Sequence, residues 1–379
     1  IVWFYGTFNG NSHKITNFYM DLADVYYVSD TNSAWGLSFF GAAKVNNLSI
    51  ETTITGTYPK TTQLFLAALA YKGSCENVNV FVTYRECNIS INDLYNFYCG
   101  GICALNISDS DNSFNNCKLN MYFRNCNITI SNNTSKYYMY IYGICYVCNT
   151  NNNTVLLSID NTNTIVNVRD VYISGISQTG YSTLCNSYIN CNIDITYLTL
   201  GGIMAGDSED IKGNIISCFS FVNFNGTFNG PCSIGGLAGS DISKIQKSYC
   251  VSNYNITING SYCNIGGICG SAIVGSSPYI KDCYVDANII YTANDTSTNR
   301  IGFISLANTT NETVYYSGSI SKTSSSGSIT PSIFGIRLSD GAFKSGEVCY
   351  KLNNAIGSTV FYQSINSNYY PTFNSNEWK

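Results

Sequence analysis

Gly235-Gly236-Leu237-Ala238-Gly239 contains a signature that punctuates the whole chain, a small residue followed by an apolar one. It returns on either side as Gly201-Gly202-Ile203 and Gly266-Gly267-Ile268. Further out it reads Trp35-Gly36-Leu37, Ala67-Ala68-Leu69, Gly100-Gly101-Ile102, Tyr142-Gly143-Ile144, Ser174-Gly175-Ile176, Ile301-Gly302-Phe303 and Phe334-Gly335-Ile336. The repeat markers are therefore Gly36, Gly101, Gly143, Gly175, Gly202, Gly236, Gly267, Gly302 and Gly335, with Ala68 in the second place. Their intervals run from 27 to 42 residues and centre on roughly 33. A period of this size held along a whole chain is the mark of a repeat architecture, in which each unit stacks on the next.

Between markers the pattern has period two. In Tyr279–Ile289, Cys283, Val285, Ala287 and Ile289 share one face, while Tyr284, Asp286 and Asn288 take the other. Asn116–Phe123 alternates in the same way. A single such strand has nothing to bury its apolar face against except the coils before and after it. The expected fold is all-β: a single-stranded parallel β-helix, or β-solenoid, of about ten coils of roughly 33 residues. It is one continuous body over 1–379, with an opening segment at 1–35, a repeat array at 36–340 and a closing segment at 341–379. At each corner, a residue without Cβ lets the chain bend and lets adjacent coils approach. Thr61–Lys72 (TTQLFLAALAYK) also fits a helical period, but Ala68-Leu69 falls on the repeat phase, which favours strand.

Composition agrees. Only 11% of residues are charged and 45% are hydrophobic, with 31 Tyr, 19 Phe and 5 Pro, a mixture suited to pleated faces. The net charge of −4 gives no basic footprint for nucleic acid or an anionic membrane, so neither is an expected partner. One histidine, His13, leaves a general base or an imidazole metal ligand at a single position only. With no initiator Met, no signal-peptide pattern and no membrane-spanning run, the expectation is a mature or partial ectodomain whose targeting segment lies outside this stretch.

Three stretches bring a known family into view. Gly235–Gly239 followed by Ile245-Gln246-Lys247-Ser248-Tyr249-Cys250-Val251 resembles the GLUG motif of bacterial and protist surface proteins. Tyr5–Ile15 (YGTFNGNSHKI) is similar to the element that opens such arrays, and Ser345–Asn353 with Tyr370-Pro371-Thr372-Phe373 to the segment that closes them. The resemblance implies a parallel β-helix on secreted or cell-surface proteins, often adhesins, with no shared catalytic residues. The chain departs from bacterial members in its cysteines and sequons, which suggest a eukaryotic version.

Seventeen cysteines and many Asn-x-Ser/Thr triplets point to an oxidising secretory route. Candidate N-glycosylation sites are Asn47, Asn88, Asn106, Asn127, Asn132, Asn133, Asn152, Asn225, Asn255, Asn259, Asn294, Asn308 and Asn311. Measured from the preceding marker they fall in two bands, which places them around the turns between strands. Cys103 and Cys269 each sit two residues after a marker, and Cys117 and Cys283 sixteen after it, so within-coil disulfides Cys103–Cys117 and Cys269–Cys283 are one reading. Buried core thiols are the other, and an odd total leaves at least one thiol unpaired in the chain or bonded beyond it. The lone Cys145–Cys148 pair lacks the second pair or histidine that a zinc site needs.

Chemistry is thin. Asp207-Ser208-Glu209-Asp210, Asp109 and Asp111 read as solvated turns, with a weak calcium loop the alternative for the first. No phosphate loop, HExxH or nucleophile elbow occurs, so no catalytic residue, metal or cofactor is assigned and the chain is not expected to be an enzyme. The expected function is a secreted or cell-surface glycosylated solenoid with a structural role, a subunit of an extracellular fibre or coat. The expected partners are N-linked glycans and copies of itself stacked end to end. The alternatives are an adhesin holding a glycan or protein ligand and, less favoured, a polysaccharide-degrading β-helix.

Overall fold

Asn116–Phe123 shows the alternation at work. Cys117, Leu119, Met121 and Phe123 are buried in the core, while Lys118 and Asn120 are exposed. In the computed structural model the strand Lys118–Arg124 runs parallel and in register between Ala70–Asn92 of the preceding coil and Thr154–Asp160 of the next. The structure describes residues 5–27, 34–92, 95–105, 113–131, 138–160, 165–167, 170–206, 213–240, 242–260, 262–271, 279–293, 299–304, 310–323, 335–365 and 369–373. It is all-β, 68% strand and 6% helix, a β-solenoid of about eight turns rather than ten.

Each coil has three sides. One is a short strand of a ten-stranded sheet, and the other two belong to an eighteen-stranded sheet. In one coil these are Cys232–Gly235, Ile242–Gln246 and Tyr249–Ile258. Among the described residues the strand pairings are parallel except where Tyr26–Tyr27 meets Trp35 and Gly36, and an isolated antiparallel bridge joins Tyr362 to Thr372. A single apolar core runs up the interior from Met20 to Tyr316. Gln63–Ala67 is a strand followed by another from Ala70, so Thr61–Lys72 is not helical.

Two corners shape every full coil. At the first, Gly101, Gly143, Gly175, Gly202, Gly236 and Gly267 form one column, each followed by a fully buried Ile or Leu. A Cβ on any of these glycines would fall inside van der Waals contact of the next coil's carbonyl oxygen, as at Gly101, where Gly143 O would stand 2.6 Å away. The other markers stand elsewhere. Gly36 pairs with Phe65 instead of Ala68, and Gly302 pairs with Gly266, which leaves Phe303 at the end of the column. Gly335 precedes Ile336–Arg337, which pairs with Tyr315 and Tyr316 in the longer sheet. Gly36 and Gly302 lie on rungs of the ten-stranded sheet but off the glycine column, whereas the Gly335 motif leads into the longer sheet and marks no rung of the shorter one.

The second corner contains no glycine. Asn47, Asn77, Asn116, Asn152, Leu184, Ser217, Lys247, Asp282 and Thr313 all adopt left-handed backbone there, with φ between 51° and 54°.

The closing segment folds back over the rod. Helices α1 (Asp340–Lys344) and α2 (Glu347–Ile356) contribute Phe343, Val348 and Leu352 to a second apolar cluster with Phe361 and Phe373. Their partners are Phe219, Tyr249, Tyr284 and Tyr315, a column on the outer face of successive coils. Tyr284 and Asp286 do point away from the solenoid core, yet both are buried under this segment. The Tyr284 hydroxyl donates to Pro371 O and the Tyr370 hydroxyl to Asp286.

Candidate functional site

Stacking at the spacing of parallel strands, about 4.8 Å, places like side chains on like, and asparagine exploits this by donating its amide to the amide one coil earlier. Along the left-handed corner Asn47 Nδ2 reaches Asn9 Oδ1 at 3.3 Å, Asn77 reaches Asn47 at 3.1 Å, Asn116 reaches Asn77 at 3.1 Å and Asn152 reaches Asn116 at 2.8 Å. Shorter ladders link Asn127 to Asn88, Asn225 to Asn192, Asn255 to Asn225 and Asn259 to Asn229, at 3.0–3.3 Å.

These ladders contain the sequons. Asn47, Asn88, Asn127, Asn152, Asn225, Asn255 and Asn259 are all rungs, and all but the half-buried Asn47 are exposed. The turn placement needs correction: Asn88, Asn127, Asn225 and Asn255 lie within strands. What looked like a turn signal was the polar face of a ladder. Asn311 lies on the strand Thr310–Lys322, while Asn106, Asn132, Asn133, Asn294 and Asn308 fall outside the described residues. So do Asp109, Asp111 and Asp207–Asp210.

The cysteines are thiols, and neither within-coil disulfide forms. Cys103 sits just after the glycine corner and Cys117 just after the left-handed one, at opposite ends of one side of the coil, and Cys269 and Cys283 repeat that arrangement. Their sulfurs face backbone carbonyls instead, Cys117 that of Asn115 at 3.4 Å and Cys283 that of Lys281 at 3.1 Å. Two cysteine pairs meet across successive coils: Cys232 pairs in register with Cys263, and Cys185 N donates to Cys218 Sγ at 3.4 Å. Burial pushes the Cys117 and Cys283 thiols up to about 12. Cys145 and Cys148 are buried, and among the described residues no group of three His, Cys, Asp or Glu is placed to hold a metal.

The ten-stranded sheet carries a different surface. Phe65, Tyr98, Tyr140 and Tyr172 occupy one register position on successive coils. Their rings stack at centroid separations of 4.8, 4.9 and 5.2 Å, tilted by 13°, 14° and 25°. Tyr138 and Tyr146 pack edge-on against the row. The alternation of each strand announced an outward residue but not that four aromatics would share a column, because the chain spacing between them varies. No known protein family, curated protein or solved structure matches this chain.

Proposed function

We propose that the chain is a structural rod of a secreted or cell-surface glycoprotein, a subunit of an extracellular fibre or coat. The observation that carries this reading is the unbroken in-register stack: one core and two sheets continue from the first described coil to the last, giving a stiff body about 40 Å long at eight turns. Its polar faces are built from amide ladders instead of clustered charges. Above the first rung of a ladder each amide donates one N–H along the column, and N-glycosylation replaces only one of the two. Among the described residues Tyr5–Asp21 pairs with Phe40–Thr57 along one edge only, and a second copy stacking there would continue the eighteen-stranded sheet.

The test is electron microscopy of protein made through a eukaryotic secretory route, with intact mass before and after enzymatic deglycosylation. Rods joined end to end, losing mass as N-glycans are removed, support the reading. Unglycosylated particles that never associate defeat it.

A further inference from the structure

The two cysteine pairs that meet across coils share a geometry. Cys232 stands in register with Cys263 on the ten-stranded sheet. Cys185 and Cys218 each come one residue before an in-register pair, Asn186 and Phe219, just past the left-handed corner. In both pairs the sulfur of the later cysteine leans toward the coil of the earlier one. Cys263 Sγ lies 3.4 Å from Gly230 O, and Cys218 Sγ lies 3.4 Å from Ser182 O while accepting from Cys185 N at 3.4 Å. All four side chains are buried. Burial, and after it the hydrogen bond with the stacked partner, holds the Cys218 and Cys232 thiols well above the ordinary range.

We propose that oxidation closes two disulfides between successive coils, Cys185–Cys218 and Cys232–Cys263, each a covalent staple from one rung of the solenoid to the next. Stacked Cα atoms about 4.8 Å apart fall within the roughly 4.4–6.8 Å that a disulfide spans, and the Cβ atoms need to approach by only a few tenths of an ångström. Other cysteines have no thiol in register: Cys99 stacks on Leu66 and Ile141, and Cys191 on Ile159 and Phe224, so both stay reduced. In each pair one thiolate attacks a small disulfide such as glutathione disulfide, giving a mixed disulfide, and the second thiolate displaces the remaining glutathione. Two S–H bonds are lost and one S–S bond is gained, and the two protons and two electrons leave on two molecules of glutathione. Buried thiols are neutral and inert, so the exchange takes place as a coil docks, before the core closes over it. The staples tie the Gly175 coil to the Gly202 coil and the Gly236 coil to the Gly267 coil, so a pull along the chain bypasses the loop between each pair. The oxidising compartment that this requires makes the inference rest on the secreted reading above.

The test supplies the oxidant directly. Chain expressed reduced in bacteria is refolded from urea with a mixture of reduced and oxidised glutathione, alkylated, and mapped by mass spectrometry without reduction. Protein from the eukaryotic secretory preparation is mapped in the same way, so the result does not depend on refolding. Linked peptides joining Cys185 to Cys218 and Cys232 to Cys263 are expected, with Cys99 and Cys191 alkylated. Reduction is expected to lower the melting temperature by on the order of 10 °C. Folded chain in which those four cysteines are alkylated, or bonded to other cysteines, overturns the proposal. Such a failure is one of pairing alone, and the secreted reading still stands or falls on its glycans and fibres.

Discussion

The two corners of the coil solve one problem in opposite ways. At the first, from Gly101 to Gly267, the next coil comes so close that its carbonyl oxygen occupies the space of a Cβ, while Ala68, at the same corner one coil earlier, is the smallest departure from glycine. At the second, the backbone is left-handed, with φ of 54° at Asn116 and 53° at Leu184, a conformation that costs an ordinary residue about 1–2 kcal/mol but forbids none. The difference is between a steric prohibition and a modest energetic preference. The first writes itself into the sequence as a fixed letter. The second tolerates Asn, Leu, Ser, Lys, Asp and Thr in turn and leaves no readable mark.

Replacement at the glycine corner has the largest expected effect. Gly202→Val would drive its side chain into Gly236 O and Ser220, and we expect a loss on the order of 3 kcal/mol in denaturant unfolding. Gly341→Ala at the start of α1, where a Cβ meets only Ser339 Oγ at 3.5 Å, is the control and should melt with the parent. If both variants behave alike, close approach is not what the glycine column enforces.

Alkaline pH should strike the second corner next. Cys117 and Cys283 follow its left-handed residues directly, and burial raises these thiols from 9.0 to about 12. Above the ordinary thiol value the unfolded chain has released protons that the folded chain still holds, so stability falls as pH rises through that window and is unaffected by these groups below it. Thermal melts from about pH 8 to pH 11 should decline, with amide exchange accelerating at the second corner first. A flat profile would contradict the buried-thiol environment.

A smaller loss is expected within the asparagine ladder. Asn116→Ala removes the amide bonds to Asn77 and from Asn152 and leaves alanine at a positive φ, a cost of about 1–2 kcal/mol. The smallest effect is a gain. Leu184 is 44% exposed and stands next above Asn152, so Leu184→Asn should extend the ladder by one rung and stabilise the chain by roughly 0.5 kcal/mol in the same assay. Destabilisation by Leu184→Asn would show that its packing outweighs the corner's backbone preference.

This contrast also explains what could be read in advance. The parallel solenoid and the inward face of strands such as Asn116–Phe123 follow from a period that every unit repeats. The glycine column from Gly101 to Gly267 was legible because a Cβ at each of these positions would meet the next coil's carbonyl oxygen. Gly36, Gly302 and Gly335 carry the same local letters, but the register that offsets them depends on pairing partners far away in the chain. The burial of Tyr284 and Asp286 was illegible for a related reason: alternation assigns them to the outer face and cannot say that residues some 60 to 90 positions later will cover it. The row ending at Tyr172 emerges only once the coils are stacked, since its members share a register position and no common spacing.

A crystal structure of the expressed chain tests the stacking itself most directly. The account requires Gly101, Gly143, Gly175, Gly202, Gly236 and Gly267 to stand in a single file, each Cα about 4.8 Å from the next. Finding those glycines dispersed among separate globular lobes, or their strands paired antiparallel, would contradict it.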